Sequence, residues 1–239
     1  PIMAAWNLAE AAKKQGKEAT IFLPVDFSLY HAVSGRMYDI IKKYADIIEQ
    51  ASIDEFYFDL SFIHNYKKAE IMCKKIQQEI WDKEKLTCSV GVAPNKLIAK
   101  IAAGTKKPNG LVMVEEKSVQ EFLNPLSIRE IPGIGPKTGE LFSKKGISVI
   151  SDMLTLSKEE LYSMVGKHGA KLYEKIRGID DSAITSWHVA KSFGEQNTFA
   201  SDTLDSRFVA GELEKYCHHV FSRFVQSEFI GFKTIALTV

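Results

Sequence analysis

A change of pattern at Val114 is the feature that most constrains the fold. Residues 29–114 alternate between helical and strand patterns, whereas residues 118–178 carry little strand signal and are interrupted by glycines. Alternating helices and strands form a mixed layer, and short helices punctuated by glycine form a small helical unit. We therefore expect an α+β chain in which a mixed α/β layer is followed by an all-α unit.

Apolar residues at helical spacing predict two amphipathic helices in the first part of the chain. The first helix is marked by Tyr30, Val33, Met37, Ile40, Ile41 and Tyr44, and the second by Ala69, Met72, Cys73, Ile76 and Ile80. A further helix is predicted over 96–103. Strands are predicted for 56–60, 86–92 and 111–114, the last of them after the turn signal Pro108-Asn109-Gly110.

Residues 180–192 are polar and lack periodicity, which is typical of a linker. Beyond them we expect a strand over 197–204, a helix containing Leu213 to Phe224, and a second strand over 232–239. Cys217-His218-His219 could suggest a metal site, but no partner ligands stand at sensible spacing. We instead expect this tripeptide on a helix, with Cys217 on the buried face.

Bulk composition is that of a globular protein, with 45% hydrophobic and 26% charged residues, and the length fits one to three domains. The net charge of +1 does not indicate nucleic-acid binding, so such a claim must rest on local geometry. The three cysteines are far apart, which favours a reducing cytoplasm over disulfides. Because no run of about 18 apolar residues occurs, no transmembrane helix is expected.

Asp54 and Glu55 are adjacent carboxylates at the turn before the predicted strand 56–60. Carboxylate oxygens suit hard divalent cations, and two such ions stabilise the attacking and leaving oxygens of phosphoryl transfer. The alternative is an ordinary solvated turn, because acidic dipeptides are common in turns.

Ile131-Pro132-Gly133-Ile134-Gly135-Pro136-Lys137-Thr138 has the form of a helix-hairpin-helix. Its glycines allow a tight turn that brings backbone close to a ligand, and the helix that follows presents unpaired N–H groups favourable for phosphate. Such contacts hold the nucleic-acid backbone and do not read bases. The alternative is a glycine-rich helix connection without a ligand.

The motifs considered together resemble one family. They are Ala51–Leu60, Ser89–Lys96, Ala99–Ala102, Lys107–Gly110 and the hairpin at 131–138, in that order. This set resembles Y-family translesion DNA polymerases of the DNA polymerase IV type. The resemblance implies a remnant of the fingers over 1–28, an incomplete palm over 29–116 and a helix-hairpin-helix thumb over 117–179. A linker over 180–192 and an incomplete α/β little-finger domain over 193–239 would follow.

The resemblance assigns roles to single residues. Asp54 would bridge two metal ions and Glu55 would bind the catalytic one, while Lys107 would reach the incoming triphosphate. Lys100 would face the primer strand and Ser52 would touch the primer end. DNA binding by the thumb would involve Gly133, Ile134, Gly135 and Lys137. Without the resemblance, the lysines would be interpreted as a solvated surface; Asp26 is not assigned to the site.

The implied activity is template-directed DNA synthesis of low fidelity past damaged bases, with two Mg²⁺ ions. The implied partners are primer–template DNA and deoxynucleoside triphosphates, and the protein is expected to be a cytoplasmic monomer. The resemblance would place another metal-binding Asp before Pro1 and a sliding-clamp tail beyond Val239. We therefore expect little or no polymerase activity from these 239 residues alone.

Two other functions stay open at this stage. A non-catalytic DNA-binding module would keep the helix-hairpin-helix but would have lost polymerisation, and the discriminator is whether the gene encodes an upstream metal-binding Asp. A different palm enzyme, such as a nucleotide cyclase, is disfavoured because a cyclase has no need to grip a duplex.

Overall fold

The computed structural model describes residues 2–16, 23, 25–187, 190–199 and 201–238, with the side chains of residues 2–7 excepted. The chain divides into two compact units, Pro1–Ser186 and Trp187–Val239. The described part of the first unit contains four short strands, which are β1 (Ile48–Gln50), β2 (Phe56–Phe58), β3 (Val90–Val92) and β4 (Leu111–Met113). The α+β class predicted from the sequence is confirmed.

Helices α1 (Ile2–Lys14), α2 (Phe27–Ile41) and α3 (Tyr66–Glu84) belong to the first half of this unit. Asp26 caps α2, since its Oδ1 accepts a hydrogen bond from Leu29 N at 2.9 Å, which is a structural role. The buried faces of α2 and α3 meet the hairpin β1–β2 in one core cluster, whose buried members are Ile40, Ile41, Ala45, Ile48, Ile76 and Ile80. Both predicted amphipathic helices are thus confirmed.

The second sheet consists of β3 and β4, which are parallel and joined through helix α4 (Lys96–Thr105). A Cβ added to Gly91 in β3 would lie 2.0 Å from the carbonyl oxygen of Ala99, so glycine is what lets α4 lie directly on the sheet. The predicted strand 86–92 is shortened to Val90–Val92, because the partner strand β4 offers only Leu111–Met113 for pairing.

Among the described residues five short helices follow, as the glycine-rich pattern predicts: α5 (Val119–Leu123), α6 (Pro136–Ser143), α7 (Ile150–Met153), α8 (Lys158–Val165) and α9 (His168–Lys175). The second unit contains the longer helix α10 (Ser206–Val225). The core of α5 to α9 is continuous with the buried face of α4. Ile98 of α4, Leu123 of α5 and Phe142 of α6 belong to the same cluster and are each fully buried. The helical unit and the sheet that carries α4 are therefore built on a shared core.

In the second unit, α10 confirms the predicted helix, and aromatic side chains pack along it, including Phe193 and Phe224 at 6.1 Å between ring centroids. The predicted strands 197–204 and 232–239 are wrong for the described residues, all of which are coil. A strand exists only through ladder partners, and no partner strand stands in the described part of this unit. Cys217 is exposed, not buried, because the described residues of this unit bury no residue of α10.

Among the helices in the described ranges, none combines the length and the apolar character that crossing a membrane requires.

Candidate functional site

The turn between β1 and β2 presents the predicted carboxylates. The strands are antiparallel, with Gln50 opposite Phe56, and the turn is closed by hydrogen bonds from Ala51 N and Ser52 N to the Glu55 carbonyl, at 2.9 and 3.2 Å. Asp54 and Glu55 therefore lie at the tip of a short hairpin whose base is fixed in the core through Ile48.

Asp54 is exposed at this tip. Its Oδ1 accepts a hydrogen bond from Ser52 Oγ at 2.6 Å, and its backbone N–H donates to the same Ser52 oxygen at 3.3 Å. The Ser52 hydroxyl thus fixes the conformation of the Asp54 side chain while leaving the carboxylate open to solvent.

Glu55 lies beside Asp54 and is held from two directions. Lys100 Nζ donates to both carboxylate oxygens at 2.5 Å, and Tyr57 Oη donates to Oε1 at 2.7 Å. Partial burial alone would raise the pKa of Glu55, and the charge of Asp54 acts in the same direction. The hydrogen bonds from Lys100 and Tyr57 outweigh both effects, so this pKa lies below its ordinary value of 4.5 and Glu55 is ionised at neutral pH.

Lys96 and Lys100 lie one turn apart on α4, which starts at the N-cap Asn95, whose Oδ1 accepts from Ile98 N at 3.0 Å. Lys100 faces Glu55, as described. Lys96 faces Glu49 of β1, with Nζ 2.7 and 2.6 Å from the two carboxylate oxygens. Two lysines on one helix face are thus matched to two carboxylates of one hairpin.

Lys107 follows the end of α4, in the turn that leads into β4. The Lys107–Pro108 peptide bond is cis, and the next residue, Asn109, has φ = 55°. The Lys107 side chain is exposed, and its ammonium has no hydrogen-bond or ion-pair partner among the described residues. Its charge is therefore available to an external anion.

The carboxylates at the hairpin tip suit a Mg²⁺ ion that is bound only in part by the protein. They do not form a metal site built entirely from protein ligands. Within the described ranges, no group of three or more His, Cys, Asp or Glu side chains could hold a metal ion. Mg²⁺ is commonly held by one or two carboxylates together with waters and substrate phosphates. The adjacent carboxylates of Asp54 and Glu55 fit that arrangement.

The helix-hairpin-helix predicted at 131–138 is formed by a turn that leads into α6. Gly133 has φ = 105°, a conformation that glycine adopts without strain. Ile131 and Ile134 flank it with buried side chains, and Lys175 Nζ donates to the carbonyl of Pro132 at 2.7 Å. The turn is consequently anchored in the core on both sides and pinned from α9.

Several backbone donors of this turn are unpaired among the described residues. The N–H groups of Gly133, Gly135 and Lys137 have no acceptor in the part of the chain that the structure describes. Ile134 differs, because its N–H donates to the Ile131 carbonyl at 3.0 Å and its side chain is buried. Together with the exposed ammonium of Lys137, the free N–H groups form a surface suited to a phosphate.

Three residues of this region were not predicted from the sequence: Glu49, Tyr57 and Lys175. Glu49 is 5% exposed and lies between Gln50 and the buried Ile48 in β1. A buried glutamate requires a cationic partner, so its place beside Ile48 was the signal that could have revealed it. Tyr57 and Lys175 carried no such signal, because their partners are distant in sequence.

Two family models match the chain. The impB/mucB/samB family matches residues 2–104, and the IMS family HHH motif matches residues 116–147. The first range contains the carboxylate hairpin and most of α4, and the second contains the turn at Gly133.

Two similar curated proteins are both named DNA polymerase IV. DNA polymerase IV 2 of Methanosarcina mazei is 37% identical over 220 residues, which cover 92% of this chain and 59% of that protein. DNA polymerase IV of Methanoculleus marisnigri is 38% identical over 200 residues, covering 84% of this chain and 56% of that protein. The chain thus spans less than two thirds of the length of these relatives.

Two solved structures that resemble this chain are also DNA polymerases. A Y-family DNA polymerase chimera, Dbh-Dpo4(243-245)-Dbh, superposes with a TM-score of 0.77 at 36% identity, covering 85% of this chain and 60% of that one. A DinB family error-prone DNA polymerase from Sulfolobus solfataricus gives a TM-score of 0.67 at 34% identity, covering 89% and 68%. By fold, motif and sequence, the chain belongs to the Y family of DNA polymerases and is of the DNA polymerase IV type.

Proposed function

We propose that the protein performs template-directed nucleotidyl transfer onto the 3′ end of a DNA primer, with low fidelity and past damaged template bases. The observation that carries the proposal is the hairpin tip, where Asp54 is open to solvent and Glu55 is held ionised by Lys100 and Tyr57. Adjacent carboxylates on a rigid support suit phosphoryl transfer, in which catalysis consists mainly of positioning and charge neutralisation.

Family membership implies use of a divalent metal, and we propose two Mg²⁺ ions held in part by Asp54 and Glu55. When bound, such ions neutralise phosphate charge and lower the pKa of an attacking hydroxyl. The protein's own part is to hold both carboxylates in place and to keep Glu55 deprotonated. Ser52 restricts Asp54, and Lys100 and Tyr57 restrict Glu55.

Lysines beside the carboxylates are proposed to bind the reacting strands. Lys107 has an exposed, unpaired ammonium among the described residues, which suits the triphosphate of an incoming nucleotide. Lys100 is proposed to face the primer strand, and Ser52 to approach the primer end. In the absence of substrate, Lys100 compensates the charge of Glu55.

The turn at Gly133 is proposed to hold the DNA duplex by its backbone. Free N–H groups at Gly133, Gly135 and Lys137, with the Lys137 ammonium, would contact phosphate oxygens irrespective of sequence. Ile134 would contribute by packing the turn, since its side chain and N–H are already engaged. Solved relatives include an insertion ternary complex of Dbh DNA polymerase, which supports substrates of this class.

Other expectations stay predictions: a sliding-clamp contact, a monomeric state, a cytoplasmic location and the domain boundaries at 28, 116, 179 and 192. Residues 180–186, the first part of the predicted linker, cluster with the first compact unit.

Primer extension by the protein as its gene encodes it tests the proposal. With labelled primer–template, Mg²⁺ and deoxynucleoside triphosphates, Asp54→Asn and Glu55→Gln should each lower kcat by at least about 100-fold, the scale of removing one preorganised electrostatic group. Glu70→Gln on α3 is the matched control and should leave kcat unchanged. DNA binding should survive all three changes.

Two results would overturn the proposal. Extension that is insensitive to both hairpin substitutions would remove the site, and a wild-type protein that binds DNA without extending it would favour a non-catalytic DNA-binding module.

A further inference from the structure

A buried ion pair lies next to the hairpin site and is not explained by the proposed function. Glu49 of β1 is 5% exposed, and the side chain of its partner Lys96 is 17% exposed. Removing two charges from water costs free energy even when the charges are paired. A buried ion pair therefore need not stabilise the fold, and stability alone does not explain this one. Its other contacts indicate what it does.

Both members of the pair also bind the backbone that follows α9. Thr185 N donates to Glu49 Oε2 at 2.9 Å, and Lys96 Nζ donates to the Ala183 carbonyl at 3.3 Å. These contacts join residues separated by 136 and 87 positions in the sequence. The ion pair therefore binds residues 183–185 to strand β1 and the start of α4.

The start of α4 holds the same segment at two further points. Asn95 Nδ2 donates to the Gly178 carbonyl at 2.8 Å, and Leu97 N donates to Asp180 Oδ2 at 3.0 Å. We call residues 178–185 the strap. The strap contains no helix or strand, so its position depends on these side-chain and end-of-helix contacts and not on a backbone ladder.

Tyr57 connects the ion pair that holds the strap to Glu55 at the hairpin tip. Tyr57 stands opposite Glu49 in the β1–β2 register, and Lys96 Nζ lies 5.0 Å from the centre of its ring. A cation at this distance is attracted to the ring face. The hydroxyl of the same tyrosine donates to Glu55 Oε1 at 2.7 Å. One side chain thus touches both the ion pair and the carboxylate.

We propose that Glu49, Lys96 and Tyr57 are positioning residues that couple docking of the strap to the orientation of the Glu55 carboxylate. A docked strap holds the Lys96 ammonium between Glu49 and the Tyr57 ring, and the ring then holds its hydroxyl on Glu55. When the strap is released, Lys96 loses the Ala183 carbonyl and Glu49 loses the Thr185 N–H. The side chains of Tyr57 and Glu55 can then adopt other orientations. The importance of Glu55 itself rests on the proposed function.

Hydrogen exchange on the 239-residue chain tests the coupling without any need for activity. Asp180→Asn weakens the strap contact at Leu97 N, and Asp180 makes no hydrogen bond to the hairpin among the described residues, although its charge acts on Tyr57. It should speed exchange of the Thr185 amide and also of the Ala51 and Ser52 amides in the turn, by at least about fivefold, the effect of losing one hydrogen bond. Asp181→Asn removes the same charge one residue later, from a side chain that is exposed, and should change none of these rates.

Tyr57→Phe provides a second variant that acts from the other end. It should change the side-chain carbon-13 shift of Glu55 at pH 7 while leaving exchange at Thr185 as in wild type. If Asp180→Asn speeds exchange at Thr185 but not at Ala51 and Ser52, the strap is only a structural attachment and the proposal is wrong. Equal effects of Asp180→Asn and Asp181→Asn would also contradict it.

Primer extension separates this proposal from the proposed function. In a protein that extends primers, Asp180→Asn should lower kcat severalfold with little change in KM for DNA, whereas Asp181→Asn should not. Coupled exchange in a protein that does not extend primers would refute the proposed function alone. Normal extension without coupled exchange would refute the coupling alone.

Discussion

Lys100 donates to both carboxylate oxygens of Glu55, at 2.5 Å each, although the two residues are 45 positions apart. The contact fixes the hairpin tip to the middle of α4, and it accounts for an ionised glutamate that is partly withdrawn from water. Any cation that binds Glu55 must compete with or accommodate this ammonium. Electrostatics at the tip are therefore set by one lysine more than by the adjacent Asp54.

Lys100→Met should raise the pKa of Glu55. In the wild type, partial burial and Asp54 raise this pKa and the hydrogen bonds from Lys100 and Tyr57 lower it below 4.5. Removing the largest lowering contribution leaves burial opposed only by the hydrogen bond from Tyr57, so the pKa of Glu55 should rise. A carbon-13 titration of the side-chain carboxyl measures it. Lys74→Met on α3 is the control, and an unchanged Glu55 titration in Lys100→Met would contradict the assignment.

Gly91→Ala should destabilise the first unit. The added Cβ would lie 2.0 Å from the Ala99 carbonyl oxygen, so α4 must move off β3. Overpacking of this kind costs about 1–3 kcal/mol. Gly35→Ala on α2, where nothing lies within 4 Å, is the matched control and should be neutral or slightly stabilising. Urea denaturation measures the free energy of unfolding of both variants. If Gly91→Ala and Gly35→Ala are equally stable, α4 does not lie as close to β3 as described.

Lys137→Ala should weaken DNA binding equally for all sequences. Its exposed ammonium stands beside the free N–H groups of the turn at Gly133, and a phosphate contact carries no sequence information. The slope of log affinity against log salt should decrease by about 1. Fluorescence anisotropy with two unrelated duplexes measures this. Lys74→Ala should keep the wild-type slope, and a sequence-dependent loss in Lys137→Ala would exclude a pure phosphate contact.

Glu79 of α3 should make the protein sensitive to acid. Hydrogen bonds from Lys43, Lys83 and Tyr44 lower its pKa to about 2. Because the folded pKa is depressed, the stabilisation is present above the unfolded value near 4.5 and is lost as pH falls towards about 2. Glu79→Gln should therefore lose less stability between pH 5 and pH 2 than the wild type does.

Chemical denaturation across this pH range measures the difference. Glu70→Gln on the same helix, where the glutamate pairs with Lys74 alone, should behave more like the wild type. A Glu79→Gln variant with the wild-type acid response would show that the network does not lower the pKa in solution.

Local patterns predicted the elements of the first unit well. Apolar spacing around Ile40 and Ile76 placed α2 and α3, because each helix buries one face whatever its neighbours are. Asp54 and Glu55 were placed at a turn by the residues around them, and the turn at Gly133 followed from its glycines. These signals are contained within a few consecutive residues.

Long-range relationships were not predictable in the same way. The pairs of Glu49 with Lys96 and Lys100 with Glu55 depend on how α4 lies on the hairpin, which no local pattern encodes. Strands predicted over 197–204 and 232–239 failed because alternation shows only which face could be buried. A strand also needs a neighbour, and the described part of the second unit supplies none.

Affinity cleavage by Fe²⁺ tests the central claim most directly, since the ion replaces Mg²⁺ and, with added hydrogen peroxide and ascorbate, generates hydroxyl radicals that cut the nearest backbone. With primer–template and nucleotide present, cuts should fall between Ser52 and Phe56, should be suppressed by excess Mg²⁺, and should disappear in Asp54→Asn and Glu55→Gln but not in Glu70→Gln. Cuts elsewhere, or cuts at the hairpin that survive both substitutions, would contradict a metal site at this tip.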